Sequence, residues 1–110
     1  MRRTYKKLTL RQRVFDRDRG RCAACGLRTT KLARFRREDP AAFAKWEARM
    51  IRRGRFAHAI PSHRLTLWDA DHIVGRADGG PDTLENLRTL CWWDHVRRTT
   101  VQQAARRAFV

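Results

Sequence analysis

Residues 67–99 read LWDADHIVGRADGGPDTLENLRTLCWWDHVRRT, and the fold turns on how this stretch is interpreted. Between positions 71 and 95 it holds an Asp-His pair (Asp71, His72), a Gly-Gly turn (Gly79, Gly80), an Asn (Asn86), a Cys (Cys91) and a second His (His95). An acid, a base and a candidate metal ligand packed this closely exceed what an ordinary loop carries. Leu65, Leu67 and Trp68 make Arg64–Ala70 a strand, and Arg88–Leu90 is a brief second one. The segment between them, GRADGGPD at Gly75–Asp82, is saturated with turn residues. The two strands therefore form a hairpin with a long loop, followed by a helix that starts near Asp94. On that helix Val101, Ala104, Ala105 and Ala108 make an apolar face. His95, Arg98, Thr99, Gln102 and Arg106 share a different face, which puts phosphate-contacting groups beside His95.

Working back from this core, Thr9 and Gln12 make a capping box for a short helix carrying Leu10, Val14 and Phe15, with Gly20 as its stop. Cys22-Ala-Ala-Cys25-Gly26 has the shape of a zinc knuckle, because Gly lets the backbone turn tightly under a metal. A helical turn through Leu32 and Phe35 follows. Asp39 as N-cap, Pro40 at the first position and Gly54 past the end then delimit a stronger helix. Its Phe43, Trp46, Met50 and Ile51 form one stripe, which reads as core rather than as a ligand site. Arg49, Arg52, Arg53 and Arg55 gather at its end. His58 and His63 fall in an irregular connection around Pro61 and read as solvated. There are no repeats and no internal boundary. The expected organisation is one domain over 1–110, with a basic tail at 1–8, a helical insertion at 29–64 and the catalytic motif at 65–100.

The chain has 110 residues and a formal charge of +15, with 26 Lys and Arg against 11 Asp and Glu, and only four of the cations are Lys. Such an excess of guanidinium favours a polyanionic partner that it can grip bidentately, and DNA is the expected one. No apolar run approaches the ~20 residues that span a membrane. The basic opening MRRTYKKLTL lacks the apolar core of a secretory signal. Three cysteines, two of them in a CxxC, suit metal binding or free thiols better than a disulfide framework, so the expected setting is cytoplasmic. No dimer face or larger phage or restriction partner is legible.

Phosphodiester hydrolysis needs an activated water, a cation on the developing negative charge and stabilisation of the leaving oxygen. Asp71 offers a hard carboxylate for Mg²⁺ or Mn²⁺, and His95 an imidazole better suited to a transition metal. His72, next to Asp71 but on the opposite face of an extended strand, is free to act as general base. Asn86 has two candidate tasks: bonding the backbone of the Gly-rich loop or steadying the ring of His72. Arg76, Arg97, Arg98, Gln102 and Arg106 are the candidate DNA contacts.

The run DADHI…GG…ENLRTLC…DH resembles the HNH endonucleases, and the upstream VFDRDRGRCAACG resembles the segment that precedes the motif in bacterial and phage members. The resemblance covers roughly residues 14–28 and 65–100. It implies an α+β fold of ββα-metal type, two antiparallel strands and a helix around one divalent cation, here with added N-terminal and middle helices. It further implies DNA cleavage that leaves a 5′-phosphate and a 3′-hydroxyl. Asp71 and His95 would be the metal ligands, His72 the base and Asn86 the brace of the loop. Many members pair the first CxxC with a second to hold structural Zn²⁺, and the matching positions here are Cys91 and Asp94. A Cys22, Cys25, Cys91, Asp94 site is one arrangement. His58 or His63 as fourth ligand is another, and Trp92 and Trp93 packing an empty site is a third. Gly75 stands where the family commonly has Pro. The competing functions are a zinc-knuckle protein that binds nucleic acid without cutting it and a basic structural protein indifferent to divalent metal.

Overall fold

The computed structural model describes residues 8–108. In chain order it forms α1 (Leu10–Asp18), α2 (Thr29–Glu38), α3 (Pro40–Arg52), β1 (Trp68–His72), β2 (Leu87–Cys91) and α4 (Trp92–Ala108), with two short 3₁₀ turns, Arg76–Asp78 and Leu84–Asn86, between the strands. The fold is α+β: β1 and β2 pair antiparallel, Trp68 opposite Cys91 and His72 opposite Leu87, and a helix follows directly. The expected basic tail lies outside the described residues except for Leu8, which is buried.

The hairpin is sandwiched. Side chains alternate across an extended strand, so Trp68 and Thr89 face α1 while Asp69 and Asp71 face α4. On the first face Phe15 stacks on Trp68 with ring centroids 4.4 Å apart, and the Arg11 guanidinium lies 3.8 Å over the same ring. On the second, His95 and Arg98 of α4 meet Asp69 and Asp71.

Thr9 and Gln12 close the capping box of α1 as expected. The helix ends with Arg19 at φ 54° and Gly20 at φ 68°. A Cβ at Gly20 would lie 2.7 Å from the Thr30 hydroxyl and 2.8 Å from the Phe15 ring, so the tight passage under α2 also requires glycine. Asp39 caps α3 through the Ala42 amide, with Pro40 at its first position. The turn expected through Leu32 and Phe35 is a full helix of 10 residues.

Three expected boundaries move, each for a physical reason. The first strand runs Trp68–His72 rather than Arg64–Ala70, and Leu65 is 91% exposed. Arginines supply donors where a partner strand would: Arg36 bonds the carbonyls of Arg64 and Leu65, and Arg64 bonds those of Thr66 and Trp68. The second strand extends to Leu87–Cys91. The last helix starts at Trp92, not Asp94, because Cys91 acts as its cap: the Asp94 amide donates to Cys91 Sγ at 3.4 Å. A search for Ser, Thr, Asp or Asn caps passes over a thiol. The expected apolar face Val101, Ala104, Ala105, Ala108 is exposed throughout, since the C-terminal half of α4 runs past the packed body.

The 29–64 segment shares one core with the motif. Phe43, Phe56 and Ile60 pack in the same cluster as Leu67, Leu90 and Trp93. Phe56 and Trp93 stack with their ring planes 8° apart, and Trp46 meets Trp93 edge-on. Buried Glu47 links the two parts, accepting from Ile60 N and Trp93 Nε1, both at 2.8 Å. Two such bonds offset the cost of taking a carboxylate out of water.

Asp18, at the end of α1, accepts from the Thr89 amide at 2.9 Å and from Arg17. Burial pushes its carboxyl up, but those hydrogen bonds outweigh burial and hold it below the usual carboxylate range. Its contribution is therefore full above an unfolded value near 3.8 and is lost as pH falls through the depressed folded value. Asp18→Ala should cost about 1–2 kcal/mol at pH 7, allowing for solvent screening. In urea titrations the gap to the unsubstituted chain should narrow only below pH ~4.

Candidate functional site

Asp71 and His72 end β1, Asn86 precedes β2, and His95 stands in the first turn of α4. The hairpin brings all four to one end of the molecule. A hollow of about 350 Å³ opens there, lined by Asp71, His72 and Arg76 on the hairpin side and by His95, Gln102 and Arg106 from α4, with Gly75, Ala77 and Thr99 between.

Asp71 is 6% exposed, and its Oδ2 is met by Arg88 Nε at 3.1 Å and by Arg98 Nη1. Its Oδ1 faces His95 Nε2 at 3.8 Å. The other ring nitrogen, Nδ1, pairs with Asp69 Oδ2 at 3.1 Å. A proton held on Nδ1 by that carboxylate leaves Nε2 as a lone pair aimed at Asp71, the arrangement in which histidine ligates metals. Ligand bonds of ~2.0–2.1 Å place two donors of one ion between ~3 and ~4 Å apart, so carboxylate and imidazole fit a shared cation. Arg98 lies against the same carboxylate and supplies positive charge there. Burial pushes the Asp69 carboxyl up, but hydrogen bonds from His95 and Arg64, together with the Arg64 charge, hold it below its ordinary value.

Asn86 takes the first of its two candidate tasks. Its Oδ1 accepts from Val74 N at 2.9 Å, and its Nδ2 donates to Val74 O at 3.0 Å and Pro81 O at 2.8 Å. The side chain replaces a strand partner for the loop. Gly80 permits this closeness, since a Cβ there would fall 1.7 Å from Val74 O. The ring of His72 is held instead by Asp82, Nε2 to Oδ1 at 2.6 Å, and Arg76 binds the same carboxylate at 3.2 Å. The bond from His72 and then that from Arg76 lower the Asp82 carboxyl.

Sequence reasoning missed Asp69 and Asp82. Asp69 had a usable signal, because it stands two positions before Asp71 and so on the same face of β1. Asp82 had none, since only the path of the loop returns it to His72. Of the candidate DNA contacts, Arg76, Gln102 and Arg106 line the hollow. Arg98 bonds Asp71 and the Ile73 carbonyl, while Arg97 reaches the carbonyls of Gly54 and Arg55 at the end of α3.

Cys22, Cys25, Cys91 and Asp94 form a second cluster, with one ligand atom from each lying within 4.8 Å of all the others. Cys25 and Cys91 sulfurs are 3.8 Å apart, and Asp94 Oδ2 is 3.2 Å from Cys22 Sγ. Tetrahedral Zn–S bonds of ~2.3 Å place two sulfurs ~3.8 Å apart, so this donor set could hold a metal ion. Hydrogen bonds from Cys25 and then Cys91 lower the Cys22 thiol, while the bond to Cys22 leads in pushing Cys25 up to about 12 and Cys91 up as well. Three thiols this close together become three thiolates only beside a cation. His58 and His63 are exposed and outside this cluster. Trp92 and Trp93 are buried in the core.

Hairpin, helix and the acid–imidazole pair between them define a protein of the ββα-metal type. Residues 57–100 match the family model described as HNH endonuclease, a family that acts on nucleic acid. Across 92% of its length the chain is 30% identical to the DNA annealing helicase and endonuclease ZRANB3 of Bos taurus and 32% identical to that of Mus musculus. It spans about a tenth of the length of either relative. No solved structure matches the chain.

The loop depends on both ends of one amide, which Asn86→Asp tests. Its oxygens still accept from Val74 N but face the carbonyls of Val74 and Pro81 without a donor. A loss of about 2–4 kcal/mol is expected from two buried bonds broken and a charge left against carbonyls. Chemical unfolding measures the loss, and hydrogen exchange should rise first over residues 73–82.

Proposed function

We propose that the chain is a divalent-metal-dependent endonuclease that hydrolyses DNA phosphodiester bonds in the hollow between the hairpin loop and α4. The observation that carries this reading is the 3.8 Å approach of Asp71 Oδ1 to His95 Nε2 on the wall of a hollow that His72 also lines. Asp71 and His95 are the residues that would hold Mg²⁺ or Mn²⁺, and the ion supplies positive charge to the scissile phosphate and the departing oxygen. His72 takes the proton from the attacking water. Sharing the Nε2 proton with Asp82 leaves Nδ1 as its basic nitrogen. Asp82 aims the ring, and Asn86 keeps the loop that carries Asp82 at a fixed distance from the strands. Arg76, Gln102 and Arg106 hold phosphates on either side of the cut. Such contacts position a strand without reading its bases.

The second cluster takes a separate part. Cys22, Cys25, Cys91 and Asp94 would hold structural Zn²⁺, tying the segment after α1 to the β2–α4 junction. A chain of this size gains much from such a staple.

Supercoiled plasmid incubated with the purified chain should be nicked in Mg²⁺ or Mn²⁺ and left intact in EDTA. His72→Ala should lower the rate by at least ~10²-fold with unchanged thermal unfolding. Cutting by His72→Ala at the full rate would remove the assigned base. Elemental analysis should find one zinc per chain. Cys22→Ser should abolish that zinc and lower the unfolding temperature, whereas His72→Ala retains it.

A further inference from the structure

On the other side of the hairpin from the α4 hollow lies a larger one, about 700 Å³, between the end of α1, the Cys22–Cys25 turn and the start of α2. Arg19, Arg21, Arg28 and Lys31 line it together with Arg17, Asp18 and Thr30. It shares no lining residue with the α4 hollow. Its one acid, Asp18, is already held by Arg17 and the Thr89 amide. Arg19, Arg21, Arg28 and Lys31 are exposed, and no carboxylate among the described residues pairs with them.

Two features of the backbone set these cations together at a cost. Arg21 and Arg28 stand opposite each other in an isolated antiparallel bridge. Like charges in directly opposed positions repel, and nothing within the described chain relieves the pair. Arg19 has φ 54°, the only left-handed non-glycine residue among those described. That position after a helix ordinarily carries Gly or Asn. Sequence and backbone thus hold four unneutralised cations around one concave surface, where stability alone favours other residues.

We propose that this hollow is a second phosphate-backbone site, which grips a segment of the nucleic acid apart from the segment at the α4 hollow. A row of guanidinium groups with an added ammonium matches the repeating phosphodiester, each phosphate bridged by Arg forks. The proposal rests on the reading that the chain acts on nucleic acid, but not on cleavage.

The test measures binding of a short fluorescein-labelled DNA duplex by anisotropy in EDTA over a range of salt. Each lost phosphate contact should lower the slope of log K against log salt by ~0.9. Arg21→Gln, Arg28→Gln and Lys31→Gln combined should therefore lower it by about 2–3 and weaken binding at least ~10-fold near physiological salt. Arg49→Gln, Arg52→Gln and Arg53→Gln combined remove the same charge at the end of α3 and should change the slope less. Equal effects of the two sets, or no effect of the first, would overturn the proposal. Arg19→Gly gives an independent sign: it relieves the left-handed backbone, so the unfolding temperature should hold or rise while the slope falls by ~0.9. Combining the first set with Arg76→Gln and Arg106→Gln should sum the two losses, as independent sites do. A combined variant no weaker than either set alone would rule out two sites. A chain that binds in this way yet never cuts plasmid contradicts the nuclease reading and leaves the second site standing.

Discussion

Between Cys91 and Trp92 the chain passes from strand to helix with no linker, and most of the molecule hangs on that junction. The helix is fastened there twice, by the Trp92 amide on the Leu67 carbonyl and by the Asp94 amide on Cys91 Sγ. Successive helical residues turn by about 100°, so the first turn of α4 fans its side chains into separate surroundings. Trp93 enters the aromatic core and donates to Glu47. Asp94 turns back to the cysteines, and His95 reaches the carboxylates of β1. A slip of one residue at the junction would misplace the core anchor, the cluster ligand and the imidazole together.

Charge organises the rest. Asp71 is nearly buried, an expensive position for a carboxylate without partners, and it is ringed by Arg88, Arg98 and His95. Arg98 therefore neutralises a site whose carboxylate and imidazole also fit a divalent ion. Other arginines serve the backbone: Arg17 bonds the carbonyls of Leu84 and Leu87, Arg36 and Arg64 those before β1, and Arg97 those at the end of α3. A high arginine count is thus partly structural, with a long guanidinium standing in for missing ladder partners in a chain that has only two strands. Arg19, Arg21, Arg28 and Lys31 of the second hollow, by contrast, face solvent.

Elements governed by local chemistry were legible in advance. The Thr9–Gln12 box and the Asp39-Pro40 start of α3 depend on residues a few positions apart, and they appear where expected. The boundaries that moved depended on distant partners: Arg36 on the carbonyls before β1, and a cysteine capping α4. The apolar stripe on the end of α4 had the right period but nothing opposite it, since periodicity records a face and not its occupant.

By itself the sequence determined the hairpin-and-helix order, the grouping of Asp71, His72, Asn86 and His95 near it, and the close pairing of Cys22 with Cys25, because turn chemistry, side-chain alternation and residue spacing act over short separations. Tertiary structure alone decided that Asn86 braces Val74 and Pro81 while Asp82 takes the His72 ring, that Glu47 joins α3 to Trp93, and that Asp94 completes the cysteine cluster. These are contacts between groups whose separation is set by how loops and helices close on one another, and no local propensity encodes that closure.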